Sequence, residues 1–140
     1  MERLALALAL LALVSLALVV ARRFVGAQRR AGLRAAHEDA TPETGDRVLF
    51  FSTTTCVQCR EQQAPELERL RATWRRPLVI EHVDAIERED LARRYRILTV
   101  PSTVVFAGGE PRAVNYGYAS AETIAEQLAP VRLRDASARA

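Results

Sequence analysis

Residues 53–60 read Thr53-Thr54-Thr55-Cys56-Val57-Gln58-Cys59-Arg60 and hold the only two cysteines of a 140-residue chain. Just before them stands the apolar run Val48-Leu49-Phe50-Phe51, which has the length and composition of a short buried strand. After them, Val57 to Trp74 reads as a helix, with Leu67, Leu70 and Trp74 on one face and Pro65 expected to kink it. The cysteine pair therefore falls at a strand-to-helix junction. Cys56 is expected at the helix N-terminus, where free backbone N–H groups and the positive end of the helix dipole stabilise a thiolate. Cys59 follows one turn later, within reach of a mixed disulfide formed on Cys56. The competing readings are a structural disulfide and a pair of inert buried thiols. No resident metal is expected, because His37 and His82 lack ligand-type spacing; only a cluster shared between two chains would complete a metal site.

Reading outward gives the rest of the domain. Leu78 to Val83 is β-rich and apolar, and Glu87 to Tyr95 is a short charged helix with a solvated face. Thr103 to Phe106 and Arg112 to Tyr116 are the arms of a hairpin turned at Gly108-Gly109. Ser120 caps a last helix, Ala121 to Leu128, which Pro130 closes. Asp84 reads as a turn former, His82 as a strand-end residue, and Trp74 and Leu70 as core. The order βαβαββα predicts an α/β domain over residues 46–130 with a short tail, 131–140. Its mixed central sheet is parallel in its first half and ends in an antiparallel hairpin, with helices on both faces.

These residues together carry a family likeness. The stretch from Val48 to Leu128 resembles the thioredoxin superfamily: a strand, Thr55-Cys56-Val57-Gln58-Cys59-Arg60, a helix containing Pro65, and Thr99-Val100-Pro101-Ser102 before a hairpin. Gly108-Gly109-Glu110 and Asn115-Tyr116-Gly117-Tyr118 fall at the hairpin turn and at the glycine flanking that family's substrate groove. The resemblance implies a redox-active Cys56–Cys59 disulfide with no other cofactor and a cis peptide before Pro101. It also implies a groove in which Val100 offers its backbone to an extended substrate, with Thr55 and Gly117 beside it.

The chain departs from the family at several points. Thr55 replaces the usual Trp, Val57-Gln58 replaces Gly-Pro, and Phe50 and Ile80 stand where a buried Asp and its Lys partner belong. The chain has no lysine at all. Glu61, His82 and Asp84 are substitutes for the missing proton acceptor by sequence proximity only. One extra residue separates Cys59 from Pro65, so the kink is expected to move. The family's leading strand and helix have no expected counterpart, which leaves a minimal form of the fold.

The front of the chain is of another kind. From Leu4 to Ala21 every residue is Leu, Ala or Val except Ser15. Eighteen residues of helix reach about 27 Å, close to the thickness of a bilayer core, so residues 4–21 are expected as a single transmembrane helix. The alternative is a cleaved signal peptide ending near Val25-Gly26-Ala27, against which stand the length of the run and the weak charge of Glu2-Arg3. Residues 22–45, basic and then polar, read as a linker, with a short helix from Ala27 to Ala36 lying on headgroups as the other option. Arg22, Arg23, Arg29, Arg30 and Arg34 follow the span, against Arg3 alone before it, so the positive-inside rule puts the domain in the cytoplasm, the extracytoplasmic side being the alternative. The net charge of +3 comes largely from that cluster and suits anionic headgroups, not nucleic acid.

The resulting expectation is a monomeric, membrane-anchored thiol–disulfide oxidoreductase. It would act on protein thiols or disulfides and exchange electrons with a separate donor or acceptor. A tethered binding module that docks a partner without turnover is the alternative.

Overall fold

The structure is a computed structural model and describes residues 2–38 and 45–129. It opens with one long helix, α1 (Glu2–Glu38), and continues as β1 (Asp46–Ser52), a π-helical turn (Cys59–Gln63), α2 (Ala64–Thr73), β2 (Leu78–Asp84), α3 (Glu89–Arg94), β3 (Ser102–Ala107), β4 (Glu110–Tyr116) and α4 (Ala121–Leu128). From β1 onward this is the expected βαβαββα order. The sheet runs β2-β1-β3-β4. β1 pairs in parallel with β2 and antiparallel with β3, and β3 and β4 form the hairpin.

Alternation along β1 sorts its side chains into two layers. Val48 and Phe50 face a layer built with Leu67 and Leu70 of α2, Ile124 and Leu128 of α4, and Val105. Leu49 and Phe51 face the other, with Val83, Ala92, Tyr95, Val104, Phe106 and Val114. Because both faces are covered, β1 and β3 read as continuous apolar runs, whereas the edge strands β2 and β4 are only partly buried. A bulge between Val105 and Phe106 shifts the β3–β4 register. Gly108 and Gly109 turn that hairpin with φ of 60° and 83°, a backbone conformation that suits glycine.

The linker expectation for residues 22–45 is corrected as far as Glu38. The helix does not stop at Ala21 but continues to Glu38; residues 39–44 and the tail, 131–140, lie outside the described residues. Arg and Ala sustain the helix, and its last turns dock on the sheet with Ala36 fully buried and Leu33 packed beside it. A Cβ on Gly32 would lie 2.4 Å from the Tyr95 carbonyl oxygen, so only glycine permits this approach. The docked end of α1 therefore supplies a leading helix, for which no counterpart was expected, on the face that also holds Ala92 and Tyr95. The N-terminal half is bare, with Leu4, Leu6, Leu8, Leu10, Leu11 and Leu13 all exposed, and it is long and apolar enough to cross a membrane.

The helix after the cysteines also differs from expectation. Residues 59–63 form a π-helical turn, the form an α-helix takes when one residue is inserted. The extra residue between Cys59 and Pro65 is absorbed there, with Pro65 inside the first turn of α2.

Candidate active site

β1 ends at Ser52, and a tight turn carries the chain to Cys56, whose N–H donates to the Thr53 carbonyl at 3.1 Å. Cys56 and Cys59 are joined by a disulfide with a Cα–Cα distance of 5.3 Å. The two sulfurs have different surroundings. Cys56 is half-buried, and the Cys59 N–H donates to its Sγ at 3.1 Å, so the helix start presents a donor to that sulfur. Cys59 is 3% exposed and packs in the layer that contains Phe50.

A cleft of about 240 Å³ opens beside the pair, lined among others by Phe50, Thr54, Cys56, Cys59, Arg60 and His82. His82 faces Phe50 across β1 and β2, its ring edge-on with centroids 4.9 Å apart. It is exposed at the cleft, so of the substitutes for the missing proton acceptor it is the one that lines the cleft beside both cysteines. Asp84 is occupied as a turn former, its Oδ1 accepting from the N–H groups of Ile86 and Glu87. Glu61 is exposed and lies 3.9 Å from Arg60.

The groove residues also gather at this end. The Val100–Pro101 peptide is cis, in agreement with the resemblance. Val100 packs against the layer holding Cys56 and Cys59, and the buried Pro101 accepts a 2.8 Å bond on its carbonyl from the Gly117 N–H. Gly117 has φ of 82°, which fits glycine. Thr55 is exposed on the approach to Cys56. Tyr118 is exposed next to Gly117, and desolvation together with the Glu66 carboxylate raises its phenol above the ordinary value. Tyr116 instead turns partly inward, its hydroxyl donating to the Arg96 carbonyl at 2.8 Å.

Sequence reasoning passed over two buried polar residues. Gln63, fully buried at the end of the π turn, makes a paired bond with the Ala119 backbone, donating to its carbonyl at 2.9 Å and accepting from its N–H at 2.8 Å. Glu66 accepts from the Ala121 N–H at 2.7 Å and from Arg69 at 2.7 Å. Together they fasten the helix after the cysteines to the loop that carries Gly117. Their spacing gives them away, since Gln63, Leu67 and Leu70 stand at i, i+4 and i+7 on one helix face.

Comparison with known proteins agrees with this geometry. A family model described as Thioredoxin matches residues 33–130, which take in the docked end of α1. A thioredoxin of Staphylococcus aureus is 31% identical over 90 residues, covering 64% of this chain and 86% of that protein. Among solved structures, a mutant thioredoxin from Halobacterium salinarum superposes with a TM-score of 0.54 at 23% identity, covering 64% of this chain and 77% of that one. The reduced thioredoxin pre-protein of Schistosoma mansoni gives 0.51 at 25% identity, covering 69% and 86%. A half-buried cysteine at a helix start, its buried partner one turn on and a cis proline just before β3 are thus found in a chain that belongs to the thioredoxin family, a thiol–disulfide oxidoreductase.

Proposed function

We propose that the chain is a single-span, membrane-anchored thiol–disulfide oxidoreductase acting on protein thiols or disulfides, with Cys56 attacking and Cys59 resolving. The observation that carries the assignment is the contrast between the two sulfurs: Cys56 is half-buried and receives an N–H, while Cys59 is buried in the layer that contains Phe50. In the reducing direction, the Cys56 thiolate attacks a substrate disulfide, forms a mixed disulfide and expels one substrate thiolate. Cys59, losing its proton, then attacks the Cys56 sulfur, closes the Cys56–Cys59 bond and releases the second substrate thiol. Two electrons pass to the substrate, and a separate dithiol must restore the pair; the oxidising direction is the reverse. The Val100 backbone, shaped by Pro101, pairs with the substrate strand, and Thr55 and Gly117 border it.

The bare apolar half of α1 supports the anchor, and the arginines after it support a cytoplasmic domain. The test has two parts. Cys59→Ser should accumulate mixed disulfides on Cys56, seen as adducts on a non-reducing gel, while Cys56→Ser should accumulate few; equal trapping overturns the assignment. The full chain should float with lipid vesicles and resist extraction by alkaline carbonate, and release into the supernatant would refute the anchor. A reversible Cys56–Cys59 couple in a redox titration would separate an enzyme from a docking module.

A further inference from the structure

The sheet has a direction, and α1 runs against it. β1, β2 and β4 all point toward the end that carries Cys56, since β1 is parallel to β2 and antiparallel to β3, which is antiparallel to β4. Phe51, Ser102 and Tyr116 form the rung at that end. On α1, the Arg29 guanidinium lies over the Tyr116 ring, 5.7 Å from its centroid. Gly32, one turn later, meets Val114, two residues back along β4, and Ala36 is buried further on. Traced back from Arg29, the helix leaves the domain at the redox end and continues without a break to Glu2. From Arg29 to Ala21, where the apolar run ends, is eight residues, or about 12 Å of helix. This end also carries the exposed apolar side chains Val57, Ile86, Leu98 and Tyr118, alongside the exposed charges of Arg60 and Glu61. The opposite end presents Arg76, Glu110 and Arg112.

We propose that the redox end of the domain faces the bilayer, with Cys56 about 10–20 Å from its surface, and that the substrates are cysteines of integral membrane proteins near headgroup level. This rests on the anchored oxidoreductase proposed above. A continuous helix holds the site at one height, so a membrane-borne cysteine at that height meets it at high effective concentration, and one held far above does not.

The test uses the full chain in phosphatidylcholine–phosphatidylglycerol vesicles, its pair reduced with a dithiol that is then removed. Three probes each carry a mixed disulfide to a fluorescent thiol. One is a transmembrane peptide with the disulfide directly beyond its span, one carries it on a helical spacer of about 40 Å, and one is a soluble peptide. The near probe should react about tenfold faster than the distant one. Inserting fourteen helix-forming residues after Gly26, about 21 Å, should reverse that preference and leave the soluble probe's rate unchanged. Equal rates for near and distant probes, or a preference that the insertion does not move, overturn the inference and leave the redox reading standing. Failure with the soluble probe, or failure to float with the vesicles, overturns the proposed function and the inference with it.

Should the insertion variant misfold, energy transfer to a headgroup acceptor gives an independent answer. A fluorophore on Cys56 in Cys59→Ser should transfer more strongly than one on Glu110→Cys made in a chain with both native cysteines changed to serine. Equal or reversed transfer overturns the proposed orientation.

Discussion

Phe50 bears on the division of work proposed for the cysteine pair. It is 2% exposed, shares a layer with Cys59 and occupies the position where the family resemblance calls for a carboxylate. An aromatic wall takes no proton, and burial against it disfavours the Cys59 thiolate. Resolution of a mixed disulfide is therefore expected to be slow near neutral pH and to accelerate as pH rises, whereas attack by Cys56 follows its own thiolate content. Phe50→Asp should speed release of the trapped partner at neutral pH and lower stability by roughly 3–5 kcal/mol through loss of the ring, with a further cost for the buried carboxylate. Stopped-flow decay of the mixed disulfide checks the first and urea unfolding the second; an unchanged decay would mean that proton transfer does not limit resolution. The cysteines themselves were plain in the sequence, because a CxxC between an apolar strand and a helix is a local pattern. The position of His82 beside them was not, since it depends on β2 pairing with β1 in a register that no local pattern specifies.

Two elements illustrate what element reading finds and misses. The hairpin was legible from Gly108-Gly109 between two β-rich runs, and so was α4 from its Ser120 cap, whose Oγ accepts from the Thr123 N–H at 3.2 Å. The docked end of α1 was not. Gly32, Leu33 and Ala36 are few and small among arginines, and the burial they achieve depends on the Tyr95 carbonyl arriving from the end of α3. Gly32→Ala should therefore push α1 off the sheet and lower stability by about 1–3 kcal/mol, as overpacking does; a melting temperature equal to that of the native chain would refute the close approach. In the π turn, deletion of the exposed Gln62 should convert it to α-helix and keep Gln63 in register with Leu67 and Leu70. Denaturant titration should then show stability equal to or above that of the native chain. A loss of more than about 2 kcal/mol, larger than most single changes produce, would show that the turn is required.

Across the whole molecule, the two ends of the sheet are assigned to different tasks. At the end away from the cysteines, Asp46 is 4% exposed and accepts from Trp74 Nε1 at 2.8 Å and from the Gly108 N–H at 3.1 Å, and it pairs with Arg76 at 3.0 Å. One carboxylate thus joins the start of β1, the end of α2 and the hairpin turn. Asp46→Ala should cost about 1–3 kcal/mol for each donor left unpaired, lowering the melting temperature. Mixed-disulfide trapping, measured below that temperature, should be unaffected, because Asp46 and its partners Trp74, Arg76 and Gly108 lie at the end of the sheet away from the cysteines. The sheet's two outer strands bear on what happens when many copies share one membrane. Molecules held in a plane are crowded sideways, and bare strand edges under such crowding invite one chain to add to the next as a continuing ribbon. The edge strand β2 carries the acidic Glu81 and Asp84, while β4, the other edge strand, has Pro111, which lacks an N–H, near the bulge opposite Val105 and Phe106. Under the anchoring proposed above, the acidic residues on one edge strand and the missing donor on the other are expected to oppose edge-to-edge stacking of neighbouring copies.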